Sequence, residues 1–245
     1  MGVIGIVAVL TIPNLNASTN DAEKVAKFKK TYAELAQAHD RATAVYGPVE
    51  TWFTGISNNN YEALSAKYFD RLTEFMKVTK ICGSNESAEV ECVTSKTKNL
   101  LKRTNTRDAI DYRSAILASG SGFGVGIKFS NCIGAGDEFG LIPDHISIMC
   151  GSIHLDIDGP RKGKYTYGID LFDLIITKEG IKPAKVSSSY LATSMGKCTR
   201  EGYACGQWIM DHGNMDYLKA DASEMCPNGK TLGYNASRGR VTSCK

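Results

Sequence analysis

Residues 1–19 read MGVIGIVAVLTIPNLNAST, and their reading decides the fold. Val3 to Ile12 is an uncharged apolar run, closed by Pro13 and an Asn-rich polar stretch. A secretory signal needs a basic residue ahead of its apolar core, and here the first cation is Lys24. A membrane-crossing helix needs about 20 apolar residues to span about 30 Å. At about 1.5 Å per residue this run reaches only about half of that. A buried strand or helix of an ordinary core fits the Val/Ile density as well.

Moving outward, the polar residues after Pro13 offer helix caps, and a helical pattern follows. Ala22, Val25, Phe28, Tyr32, Leu35, Ala42 and Val45 recur at three- and four-residue steps, an apolar stripe on an amphipathic helix. Glu23 and Lys27 add a favourable i,i+4 pair, and Gly47-Pro48 stops the helix. Proline inside a helix kinks it without necessarily ending it. One helix from about residue 2 to 46 is therefore expected, roughly 65–70 Å long, longer than a domain of this size can bury.

A second helix is expected from Tyr61 to about Thr79, with Tyr61, Leu64, Tyr68, Leu72, Phe75 and Met76 on one face. Residues 83–109 read as polar and irregular. From about Ala115 the period changes. SAILASGSGFGVGIKFS reads as a glycine-rich hairpin. HISIMC, SIHLDID and DLFDLIITKEG-IKPAKV read as short strands, and GYACGQWIMDHGNMDYLKA as a last strand with a helical turn. Helices first and strands afterwards imply α+β with a mostly antiparallel sheet. The expected division is an N-terminal helix, 1–47, with an apolar half 2–13 and an amphipathic half 21–46, carrying an α+β head, 48–245.

The chain has 245 residues and a net charge of +3, too mild to argue for nucleic acid as a partner. Its eight cysteines are Cys82, Cys92, Cys132, Cys150, Cys198, Cys205, Cys226 and Cys244. None forms a CxxC, and none clusters with His39, His145, His154 or His212 at zinc spacing. An even count without metal spacing favours disulfides and an oxidising compartment. Eight cysteines can pair in about a hundred ways, and free buried thiols are the rival reading. Nearest-neighbour pairing, 82–92, 132–150, 198–205 and 226–244, is the expectation, each bond closing a short loop.

GVIGIVAVLTIPNL resembles the latter part of the N-terminal segment of type IV pilins and pseudopilins. There a prepilin leader is followed by a long apolar helix of the form FTLxEhhhhhxIIGIhAAhhIPxh. Gly5, Ala8, Ile12 and Pro13 fall on that pattern's glycine, alanine and IP positions. Further on, YFDRLTEFMKVTKICG, ILASGSGFGVGIKF, LDIDGPRKGKYTYGIDLFDLIIT and CGQWIMDHGNMDYL are similar to a set of pilin-like heads. The resemblance implies a pilin-like fold: a long N-terminal helix on a mostly antiparallel sheet, with disulfide-closed loops. It implies a structural, non-enzymatic subunit of a type IV pilus or type II secretion pseudopilus. Val3, Ile4, Gly5, Ile6, Val7, Ala8, Val9, Leu10, Ile12 and Pro13 would form the membrane and filament helix. The implied partners are self or other pilins in a helical filament, the inner membrane before assembly, and a prepilin peptidase acting on a full-length precursor. The implied location is the bacterial inner membrane, then a surface filament or periplasmic pseudopilus. The leader, its peptidase site and the early glutamate would lie upstream of Met1, so the chain as written is not expected to assemble normally. Two rival readings are a minor pilin whose head binds a surface, DNA or a secreted substrate, and a surface-anchored enzyme.

Within such a subunit Gly2, Gly5 and Ala8 would let helices approach closely. Lys24, Lys27, Lys29 and Lys30 would face water or neighbouring subunits. No cofactor is expected. Asp156, Asp158 and Asp170, with Asp173, are the candidates for calcium, although their spacing is not that of an EF-hand and Asp158-Gly159-Pro160 is also a good turn. Gly120 to Gly126 lacks the spacing of a phosphate loop, and no GxSxG occurs. Trp52, Trp208 and Tyr217 are expected in the core or at subunit contacts.

Overall fold

The apolar stripe after residue 20 and the run of short strands after residue 113 bury one another. In a computed structural model the described residues are 3–82, 92–93, 96–100, 102, 104–106, 113–134, 148–160, 162–184, 198, 202–219, 232–235 and 240–244. For 3–19, 96, 104–106, 219, 232–235 and 240–244 the description is of the backbone alone. Helix α1 (Val3–Tyr46) is continuous past Pro13, as the sequence led us to expect. From residue 20 onward it lies on the sheet. Val25, Phe28, Leu35, Ala38 and Ala42 are buried, while Ala22 and Val45, expected on the same stripe, are exposed. Among the described residues no helix is long and apolar enough to cross a membrane.

Helix α2 (Tyr61–Thr73) is capped by Asn60, whose side chain accepts from the Ala63 amide at 3.1 Å. It ends six residues earlier than its periodicity implied. Phe75 and Met76 continue the apolar spacing and pack on the core, but from a turn. The β-branched residues after them then pair as strand β1 (Val78–Cys82) with β4 (Arg113–Leu117). Between these two strands lies a small hairpin, β2 (Lys96–Lys98) with β3 (Thr104–Thr106), inside the segment expected to be irregular.

From β4 the chain is an antiparallel meander: β5 (Gly122–Ile127), β6 (Met149–Asp156), β7 (Leu171–Thr177) and β8 (Gly180–Pro183). The six-stranded order is β1-β4-β5-β6-β7-β8, every neighbour antiparallel. The glycine-rich hairpin is β4–β5, turning through Gly120 at φ +88°. The two short strands expected around Gly151 are one strand. Gly151 sits opposite Ile127, where a Cβ would lie 2.1 Å from the Gly126 carbonyl oxygen. Glycine here permits strand pairing and does not break it. The GYACGQWIMDHGNMDYLKA stretch, expected as a last strand with a helical turn, holds helix α3 (Cys205–His212) and a 3-10 turn, Asp216–Lys219; no strand is described between residues 202 and 219. A last hairpin pairs β9 (Leu232–Asn235) with β10 (Arg240–Cys244).

Alternation on the central strands turns Phe123, Val125, Ile153, Leu155, Phe172, Leu174 and Ile176 into one core with the helices. Phe28 of α1 meets Phe172 of β7 with ring centroids 4.7 Å apart, and Phe69 of α2 stacks on Phe123 at 5.8 Å. Trp52, Trp208 and Tyr217 are buried in that core. Gly206 lets α3 press on α1, since a Cβ there would stand 2.9 Å from Phe28.

Candidate functional site

Three of the four expected cysteine pairs are bonded: Cys82–Cys92, Cys132–Cys150 and Cys198–Cys205. The fourth lies outside the described residues, as Cys226 is not described and Cys244 is described only as backbone of β10. The side chains of Val3, Ile4, Gly5, Ile6, Val7, Ala8, Val9, Leu10, Ile12 and Pro13 are likewise outside them; their backbone is helical.

The three aspartates meet in the loop 157–170 between β6 and β7. At the end of β6 the Asp156 carboxylate accepts from the amides of Asp158 and Gly159, at 3.2 and 2.9 Å, an Asx turn. At the start of β7 Asp170 accepts from the Thr166 amide at 2.5 Å, the Tyr165 amide at 3.0 Å and the Lys164 amide. Two buried carboxylates thus fold one loop by collecting its backbone donors. Gly159 completes it: its φ is +81°, and a Cβ would lie 2.1 Å from the Gly120 carbonyl oxygen of the β4–β5 turn. Ser121 in that turn donates to the Ile157 carbonyl at 3.0 Å.

Asp158 reaches the other way, to helix α1. Its two oxygens take Lys24 Nζ at 2.7 Å and Lys27 Nζ at 3.1 Å, and Lys27 also bridges Glu23 at 3.0 Å. The expectation that Lys24 faces water or a neighbour is corrected here. Lys24 is 8% exposed, because it lies one turn before Phe28 on the edge of the buried stripe and its ammonium finds a partner from 134 residues away.

The electrostatics follow from burial. Burial, then the nearby Asp170 charge, pushes the Asp156 carboxyl up to about 7. Its Oδ2 is buried without a hydrogen-bond partner. Burial also raises Asp170, against the pull of its three amides. Burial pushes Asp158 up too, but the ammonium groups of Lys24 and Lys27 outweigh it, and the net shift is downward. Glu23 first, then Asp158, raises Lys27. As calcium ligands the three carboxylates are poorly disposed: Asp158 is committed to two lysines and Asp170 to three amides. Among the described residues no group of three His, Cys, Asp or Glu side chains could hold a metal.

Two further polar pairs are legible only in three dimensions. His39 of α1 meets the Tyr68 hydroxyl of α2 at 2.8 Å, with both side chains buried. Burial lowers the His39 imidazole to about 4. On β6 and β7, His154 and Asp173 are cross-strand neighbours 2.5 Å apart. Sequence spacing gives no signal for either pair.

No protein family, curated protein or solved structure matches this chain. What the site does is to fasten a long helix to a head: one loop carboxylate holds two lysines, and two others hold the loop.

Proposed function

We propose that the chain is a filament-forming subunit of the type IV pilin and pseudopilin kind, in which α1 joins copies and the sheet domain forms the outer surface. The observation that carries this reading is a mismatch of length. Helix α1 has 44 residues, about 66 Å at about 1.5 Å per residue. A head of some two hundred residues is about 40 Å across. Among the described side chains the buried stripe runs from Lys24 and Val25 onward, and about 40 Å of helix from residue 20 to Tyr46 covers the sheet. Residues 3–19, which include the uncharged run Val3–Ile12, are the remainder. Each large apolar side chain in it contributes about 1.5–3 kcal/mol if fully buried, and like helices from other copies offer that burial. The Lys24–Lys27–Asp158 tie suits this role, because a helix that pulls on neighbours must be anchored in its own head. The disulfides fit a filament surface outside the cytoplasm. Inner-membrane residence before assembly and processing by a prepilin peptidase are part of the same proposal.

The test is negative-stain electron microscopy of the purified chain after detergent removal, beside Val7→Lys/Leu10→Lys. Irregular clusters or bundles, rather than regular filaments, are expected from the parent chain, and dispersed particles from the charged variant. Dispersed particles from both would contradict the reading.

A further inference from the structure

Beside the tie, α1, the β4–β5 turn and the β6–β7 loop enclose a cleft of about 540 Å³. Its charged lining is Lys27, Lys30, Lys80 and Lys162 against one carboxylate, Asp158. That carboxylate is already occupied by Lys24 and Lys27. Lys30 and Lys162 make no ion pair among the described residues. Across the loop a second cleft of about 600 Å³ is lined by Lys98, Lys102 and Lys164, with no carboxylate in its lining. Cations gathered in a concave surface repel one another and focus a positive potential. Lys27 is paired with Glu23 and Asp158, which leaves Lys30 and Lys162 to meet an anion entering the first cleft.

We propose that the cleft between α1 and the two loops binds a small organic anion bearing a phosphate or sulfate group. Lys30 and Lys162 would hold the oxyanion as point charges. Half-buried Ile116 and Pro160 form the apolar part of the wall, against which the organic body would lie. The volume is that of a small-molecule site and exceeds the need of an inorganic oxyanion. Lys30 lies on the part of α1 that packs on the sheet, and the joining of copies does not enter this argument, so the site stands or falls separately from the proposed function.

The experiment is titration calorimetry on the full chain with phenyl phosphate, phenyl sulfate, inorganic phosphate and phenol. Saturable binding of one or both phenyl esters is expected, tighter than inorganic phosphate, with none for phenol, and weakening as salt is raised. Lys30→Gln/Lys162→Gln is expected to weaken it about tenfold or more at unchanged Tm, and Lys30→Arg/Lys162→Arg to retain it. No saturable binding up to about 10 mM, or equal binding by the glutamine variant, would overturn the site. Inorganic phosphate binding as tightly as the esters would overturn the role of the apolar wall.

Discussion

Asp158 joins the head to the helix, and its neighbours set what its loss costs. Asp158→Ala would leave the Lys24 ammonium in a site that is 8% exposed without its carboxylate partner. Breaking one side of a buried pair costs about 3 kcal/mol, to be read as a lowered urea midpoint. Lys24→Met combined with Asp158→Leu is expected to recover most of it, because removing both charges leaves nothing stranded. Asp156 predicts a pH effect of definite sign. Its carboxyl stands at about 7 folded against 3.8 ordinarily, so the folded state binds more protons and stability falls as pH rises through that window. His39 works oppositely: at about 4 folded against 6.5 ordinarily, it adds stability as pH rises from 4 to 6.5. The two slopes offset each other over that shared range. Asp156→Asn is therefore expected to uncover a rise of about 3 kcal/mol between pH 4 and 6.5. Denaturant titrations at several pH values check this, and a flat difference between parent and variant would refute it.

Among the elements, the loop 157–170 is the most exacting. Gly159→Ala places a methyl 2.1 Å from a carbonyl oxygen in a left-handed conformation, and a loss of about 2–4 kcal/mol is expected on thermal melting. The Cys132–Cys150 bond spans 18 residues, and Cys132→Ser/Cys150→Ser is expected to cost about 3 kcal/mol. Mass spectrometry of unreduced peptides should recover the three described bonds. How legible these elements were depends on how local their cause is. The α1 stripe, the α2 start at Tyr61, the β4–β5 and β7–β8 hairpins and the three described cysteine pairs rest on residues close in sequence. The end of α2 was not legible, because Phe75 and Met76 keep helical spacing while packing from a turn. Helix α3 was legible only as a helical turn beside an expected strand, because eight residues opened by Cys205-Gly206 carry too short a period. The Lys24–Asp158 tie and the His39–Tyr68 and His154–Asp173 pairs join residues whose meeting only the fold decides.

At the scale of the molecule, the account joins two unequal parts. The head is closed on itself: its core runs from Val25 through the helices to the inner face of the sheet, its loops are bonded by cystine, and its grip on α1 is ionic as well as apolar. The opening turns of α1 are built from ten uncharged residues of Val, Ile, Leu, Ala, Gly and Thr, Val3–Ile12. Charge there should separate copies and leave the head untouched, which distinguishes an assembly helix from a core helix. Sedimentation velocity of the full chain and of Val7→Lys/Leu10→Lys, over a range of concentrations, puts this to the test. The account predicts large, concentration-dependent species for the parent and a monomer of unchanged Tm for the variant. A parent that sediments as a monomer throughout, or a variant whose head unfolds, would contradict it.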